Sequence, residues 1–332
     1  MDRVVPSRLV GLAAVLVFLL LPWMLSEYQR TLLSLTFLYA VFAMSLDLIH
    51  GYAGIESLGH AAFLGIGAYT AGLLGARFGM QNMLLGTLAG MLAGGILAAL
   101  VGPAILRTRG ITSLMTFLAI SMMLWGGAVK WRSLTGGDDG LTGVLRLGEV
   151  LGPVGGGIAE YYLLFLVCLG CLILLRRVGQ SSFGLVLQGI RENEPRMRTL
   201  GYHTQLHKFL ALVGSGALAG MAGALLAYHN GFVGPTELHV LTSAEGLVMV
   251  LVGGAGTFVG PAVGALVVTV VKHWISAYTQ YWGALLGIAY ILLVRYAPAG
   301  LYPPLAAAWA RRRQREAWKG PAPLEIGQKG SQ

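Results

Sequence analysis

The chain has 332 residues, 56% of them hydrophobic and only 11% charged, with a mean hydropathy of +0.71. A soluble domain carries roughly a quarter charged residues, so this composition excludes a soluble globular fold and implies an all-α polytopic membrane protein. The formal net charge of +9 does not point to nucleic acid, because basic residues orient membrane proteins and no basic patch interleaved with aromatics occurs.

A helix needs about 20 apolar residues to cross the hydrocarbon core, fewer where protein shelters its ends, and about ten stretches qualify. They are Leu9–Leu25, Thr31–Ile49, Ser57–Ala76, Met83–Leu106, Ile111–Val129, Tyr161–Leu175, Phe209–His229, Ser243–Gly254, Phe258–Ile275 and Trp282–Val294. The first has the basic start and apolar run of a signal peptide. It lacks a small-x-small cleavage site and leads directly into another apolar run, so it reads as a retained span. With the N-terminus inside, 17 of the 23 Lys and Arg lie on the cytoplasmic side. Arg30, Arg77, Lys130, Arg132, Arg146 and Lys272 remain outside, a split that the positive-inside rule favours. Both termini are then cytoplasmic, residues 1–301 form the membrane domain, and residues 302–332 form a basic, disordered tail.

Two regions combine short apolar runs with glycine and read as broken helices: Gly51 to Leu74 and Ser243 to Ala265. Candidate path residues there are Gly51, Gly54, Ser57, Gly59, His60, Phe63 and Gly67 in the first, and Glu245, Gly253 and Gly254 in the second. These are the third and eighth of ten spans, which suggests two five-helix halves inverted relative to each other, with the breaks near the centre. Glycines at i, i+4, i+8 (Gly86, Gly90, Gly94; Gly256, Gly260, Gly264) and the pair Gly283, Gly287 allow close helix approach, within one subunit or between two.

Asp47, Glu56 and Glu245 are acids at or near membrane depth. They could form an ion-coupling site, hydrogen-bond helix ends at the breaks, or sit at the interface; the structural readings are preferred. Glu245 follows Ser243 at a helix start, where an acid suits the helix dipole. The longest external loop, 130–160, carries Thr135, Gly137, Asp138, Asp139 and Gly140. Asp-Gly is first a turn signal and the spacing of a calcium loop is missing, so this reads as a platform for an external partner and not a metal site. Cys168 and Cys171 lie inside an apolar run and read as packing residues. His203 and His207 share one helix face without a third metal ligand. The chain has no P-loop, no Gly-x-Ser-x-Gly and no His-Glu-x-x-His, so nothing argues for catalysis, a bound metal or a bound cofactor.

The one long polar interruption with a strongly basic balance is the cytoplasmic segment 177–208. Within it the apolar Phe183, Leu185, Val186, Leu187 and Ile190 precede Arg191, Glu192, Asn193 and Glu194, and Gly201 ends the segment. The apolar part could lie on the membrane or dock into a groove, with Arg191, Glu192 and Glu194 facing a cytoplasmic partner.

Four blocks in this order resemble the LivM type of permease subunit from ATP-binding-cassette importers of branched-chain amino acids. They are Gly51-Tyr-Ala-Gly with Ser57 to Tyr69; Thr135-Gly-Gly-Asp-Asp-Gly-Leu-Thr-Gly143; Phe183-Gly through Ile190-Arg-Glu-Asn-Glu194 to Leu200-Gly-Tyr202; and Ser243 to Gly256 with Gly260-Pro261. The likeness covers roughly residues 32–301. Glu56 stands where the family often has Gln, and Asp47 where Asn is common. The resemblance implies a non-ATPase subunit of the inner membrane that pairs with a LivH-like second permease. It also implies two cytoplasmic ATP-binding subunits, which hold the ATP and magnesium, and a periplasmic substrate-binding protein facing the 130–160 loop. Phe183, Leu187, Ile190, Arg191, Glu192, Asn193, Glu194, Leu200 and Gly201 would then form the coupling segment. The substrate would be a branched-chain amino acid or a related small polar solute. The competing class is an ion-coupled secondary transporter that uses Asp47, Glu56 or Glu245.

Overall fold

The computed structural model describes residues 15–79, 82–108, 110–150 and 156–276, with residues 284, 287, 288, 300 and 301. Besides two single-turn helices in the 130–160 loop, ten helices organise them: α1 (Glu27–Asp47, continued by a π-helical turn over Leu48–Tyr52), α2 (Ala61–Ala76), α3 (Met83–Leu106), α4 (Ile111–Lys130), α5 (Gly156–Gln180), α6 (Ser182–Glu192), α7 (Glu194–Thr199), α8 (Thr204–Asn230), α9 (Val240–Gly253) and α10 (Val259–Ser276). Six helical stretches among the described residues are long and apolar enough to cross a membrane: those of α1, α3, α4, α5, α8 and α10. The apolar helices α2 and α9 are shorter. In hydrocarbon every backbone polar group needs an internal partner, which is why so glycine-rich a chain is helical there. The expected spans Leu9–Leu25 and Trp282–Val294 fall largely outside the described residues, as does the 302–332 tail.

Local chemistry sets the helix starts. Ser26 and Gln29 form a reciprocal capping box at α1, with the Gln29 amide donating to Ser26 Oγ (3.4 Å) and the Ser26 amide to Gln29 Oε1 (3.0 Å). Asn82 caps α3 by accepting from the Leu84 and Leu85 amides. At the other end of α8, Gly231 takes a left-handed conformation (φ 66°) and its amide closes on the Ala227 carbonyl.

The core is built on α1 and α8. Every residue of α1 from Ala40 to Asp47 is buried, and α8 buries most of its C-terminal half. Helix α3 differs between its faces in size and not in polarity. Leu84, Leu88, Leu92, Ile96 and Leu100 form an exposed ridge, whereas Gly86, Gly90 and Gly94 turn inward. A Cβ added at Gly94 would overlap the Gly216 carbonyl of α8, and one at Gly90 would stand 2.7 Å from Ala224 Cβ and 2.9 Å from the Gly67 carbonyl oxygen. This glycine stripe therefore packs helices within one subunit. Gly260 and Gly264 likewise face α9, whereas Gly256 lies in the link before α10.

An aromatic group of Phe18, Phe37, Tyr161 and Phe165 joins the N-terminal segment and α1 to α5. Tyr161 and Tyr162 donate to the carbonyls of Phe18 and Leu19 (2.9 and 2.8 Å). On the side where α4 ends and α8 ends, a short antiparallel pair of strands, β1 (Leu141–Thr142) and β2 (Phe232–Val233), ties the 130–160 loop to the connection between α8 and α9.

Candidate functional site

Each of the two glycine-rich regions contains a non-helical link, and the two links meet. Helix α1 loosens into the π-helical turn, then loses its helix through Ala53–His60, where Gly54 has φ 68°. Between α9 and α10 the chain passes Gly254 (φ 105°) and Gly256 (φ 82°), conformations that side chains other than glycine rarely adopt. Asp47, fully buried, joins the two. Its Oδ1 accepts from the Gly256 amide (2.7 Å) and its Oδ2 from the Phe258 amide (3.1 Å), so a carboxylate of the first break caps the helix that follows the second. Gly51 has no room for a Cβ, which would overlap both Asp47 Oδ1 and the Gly256 nitrogen. The Tyr52 and Phe258 rings stack 4.3 Å apart across the same junction.

Arg191, at the end of α6, reaches this junction. Its Nη1 donates to the Gly51 carbonyl, its stem lies over Gly54, and Nη1 stands 3.3 Å from where a Gly256 Cβ would be. The sequence places Arg191 toward a cytoplasmic partner; in the fold the residue is exposed and its guanidinium also reaches the Gly51 carbonyl. The reason is geometric. Val186, Leu187 and Ile190 are buried, which seats α6 on the membrane domain and leaves its last turn beside the break.

The rest of the 177–208 segment forms a helical hairpin. Ser181 caps α6, Asn193 caps α7 by accepting from the Arg196 amide (3.0 Å), and the Tyr202 amide returns to the Met197 carbonyl around Gly201 (φ 87°). Glu194 pairs with Arg198 (2.6 Å) and with Lys208 of α8 (2.8 Å), and accepts from Thr204 Oγ1 (3.3 Å). Burial raises the Glu194 carboxyl, but the hydrogen bonds and charges of Lys208 and Arg198 outweigh it and hold the group below its ordinary range. Glu194 is thus spent on holding α7 to α8. The exposed surface of the hairpin includes Leu185, Arg191, Glu192, Asn193, Pro195, Arg196, Arg198, Thr199, Leu200 and Tyr202, while Phe183 stacks on His207 at 5.7 Å.

Deeper in the domain the short helices α2 and α9 bring their N-termini together, and Ser243 Oγ accepts from the Ala61 amide (2.9 Å). His60 is fully buried there, with Nε2 2.9 Å from Ser45 Oγ. Ser45 gives its proton to the Phe42 carbonyl (2.7 Å), so His60 Nε2 is the donor in that pair. Ser215 donates to the Ser45 carbonyl (2.5 Å) and completes the cluster. Phe63 is buried beside His60, and Gly59 and Gly67 pack against the backbones of Phe117 and Gly220. Ser45 and Ser215 are absent from the sequence reading, because single serines inside apolar spans carry no local signal. Ser57 is buried, while Glu56 is exposed in the non-helical link.

Glu245 forms an ion pair with Lys272 of α10, both carboxylate oxygens standing 2.8 Å from Nζ. Lys272 lies near the C-terminal end of α10. In the 130–160 loop Thr135 is buried and donates to the Ala128 carbonyl (2.6 Å), which shapes the turn, and Asp138 and Asp139 are exposed beyond it.

A family model described as the permease component of branched-chain amino acid transport systems matches residues 29–295. The LivM permease protein of the high-affinity branched-chain amino acid transport system of Escherichia coli K12 is 27% identical over 310 residues, 85% of this chain and 72% of its own length. A probable branched-chain amino acid transport permease protein LivM of Methanocaldococcus jannaschii is 25% identical, covering 80% of this chain and 90% of its own. The autoinducer 2 import system permease protein LsrC of Shigella flexneri is 27% identical over 280 residues, 79% of this chain and 77% of its own. No solved structure matches. With its apolar helices, its two joined breaks and this match over most of its length, the chain belongs to the family of branched-chain amino acid transport permease components, as a LivM-type, multi-pass membrane protein.

Proposed function

We propose that the chain is the non-catalytic membrane subunit of an ATP-driven importer in the inner membrane, with both termini cytoplasmic. Its substrate is a branched-chain amino acid or a related small polar solute. A second permease completes the path, two ATP-binding subunits carry the ATP and magnesium, and a periplasmic binding protein delivers substrate to the 130–160 loop. The observation that carries this reading is the bond from Arg191 of α6 to the Gly51 carbonyl. A hairpin that presents Glu192, Asn193 and Arg196 outward and fastens Arg191 inward can transmit a push on its surface to both breaks at once. The repeated order of long helix, non-helical connection and short helix in α1–α2 and α8–α9, with His60 and His239 at corresponding helix starts, supports two inverted halves.

The test is reconstitution of the whole importer in vesicles. Wild-type vesicles are expected to take up leucine only with ATP inside and binding protein outside. Arg191→Ala is expected to insert, co-purify with its partners and hydrolyse ATP, yet to lose about tenfold or more of its uptake. Uptake by Arg191→Ala at the wild-type rate would remove the coupling role. Gradient-driven uptake by the purified chain alone would establish the secondary-transporter reading, which is weakened by the engagement of both Asp47 oxygens as a helix cap.

A further inference from the structure

Helices α5 and α8 both pack on α1. Between them they leave a groove of about 440 Å³, within the range of about 300–1,000 Å³ that small-molecule pockets occupy. Leu174 and Val178 of α5 line one side of it, Leu210 and Ala217 of α8 the other, and Leu48 of the π-helical turn lies between them. Leu174 and Leu210 are about half exposed (52% and 49%), so the groove opens to the surface. Small residues keep it empty of side chains. A Cβ added at Gly214, which also lines it, would find only Leu48 Cδ2 within 4 Å, at 3.9 Å.

One end of the groove has a different character. There Ser181 contributes its one polar side chain among the described residues, and Phe183 closes the apolar space by stacking on His207 of α8. Arg177 lies on the same face of α5, three residues after Leu174 and four before Ser181. It is exposed, and neither it nor Arg176 forms an ion pair among the described residues. Lys208, by contrast, is committed to Glu194. The first-turn amides of α6, which starts at Ser182, add positive potential at the same end. The result is an apolar slot with one positive end.

We infer that this groove binds one anionic phospholipid, with an acyl chain lying between α5 and α8 and the phosphate at Arg177 beside the start of α6. Charge complementarity selects that occupant. A slot rimmed by exposed leucines on two membrane-spanning helices, and ended by an arginine without an acid, matches a molecule that carries an apolar chain and a phosphate together. Bound there, the chain touches Leu48, next in sequence to the Asp47 cap, and Phe183, in the first turn of the helix that carries Arg191. The lipid thereby braces the α6–α7 hairpin against the membrane domain. The site does not depend on which solute is imported.

The experiment titrates the full chain, purified and delipidated in detergent, with dioleoylphosphatidylglycerol or dioleoylphosphatidylcholine and counts bound lipid by native mass spectrometry. Wild type is expected to hold one phosphatidylglycerol about fivefold or more tighter than phosphatidylcholine, the worth of one basic residue at a membrane surface. Arg177→Gln should remove that preference, and Arg77→Gln, the same charge change at the opposite end of the spanning helices, should keep it. Gly214→Leu, whose side chain enters the open groove, should abolish the tight site for both lipids. Equal affinity of wild type for the two lipids would overturn the site, and so would unchanged binding by Arg177→Gln or by Gly214→Leu. In native membranes, diazirine-tagged phosphatidylglycerol should label α5 and α8 as it does in the purified chain. Labelling confined to the purified chain would show that another membrane subunit fills the groove, and would overturn the lipid assignment.

Discussion

Asp47 shows how much one side chain holds. It is an acid buried among the apolar residues of α1, and both of its oxygens accept backbone amides at the start of α10. Removing them leaves two donors without partners in a place water does not reach. Asp47→Ala is expected to cost about 3 kcal/mol, read as a lower melting temperature of the purified protein in detergent. Asp47→Asn should fall between that variant and the wild type, because the amide keeps one acceptor oxygen but sets an N–H group against one of the two donors. Equal melting of all three proteins would show that the cap contributes nothing. The composition around residue 47 announces a buried acid and even suggests a helix-end partner. It does not identify Gly256 and Phe258, more than two hundred residues away, as that partner.

At the level of elements, the α6–α7 hairpin is held by a small electrostatic lock whose pH dependence has a definite sign. Glu194 has a depressed carboxyl in the folded hairpin, through Lys208 and Arg198. Its contribution is therefore fully present above the ordinary glutamate pKa of about 4.3 and is lost as pH falls through the lower folded value. Amide hydrogen exchange across residues 194–204 is expected to quicken, relative to α6, as pH drops through that window. In Glu194→Gln the difference between the two helices should already be present at neutral pH and should not change with acid. A wild-type hairpin whose relative protection stayed constant through the window would contradict the lock. The charge pattern of this segment was legible as a polar, basic interruption in which an apolar run precedes the charges. Which charges bond within the subunit was not, because Arg191 reaches the Gly51 carbonyl and Glu194 pairs with Lys208 of α8, partners set by elements that pack against the hairpin.

For the whole molecule, the arrangement of basic residues and the position of the two breaks predict which ends of the helices face which side of the membrane. The loop bearing Asp138 and the hairpin bearing Arg196 belong to opposite ends of the spanning helices. In a background with Cys168 and Cys171 replaced by serine, Asp138→Cys is expected to react with a membrane-impermeant maleimide on intact cells. Arg196→Cys should react only after the cells are opened. Reversed labelling would invert the topology and with it the role of the hairpin.

The amino-acid sequence alone determined that this is a helical membrane protein, roughly where six candidate spans lie, and that two glycine-rich segments contain non-helical links. Those are properties of composition and of short-range periodicity, and lipid enforces them on any backbone. Its four ordered blocks also carried the family resemblance, later matched over most of the chain. Only the tertiary structure decided that the two interruptions share one junction, that Asp47 and Arg191 fasten it, and that Lys272 pairs with Glu245. Each of these joins side chains from helices far apart in sequence, and the pairings depend on which small residues allow which backbones to approach. Such pairings leave no periodic trace along the chain, so they become visible only once the helices are packed.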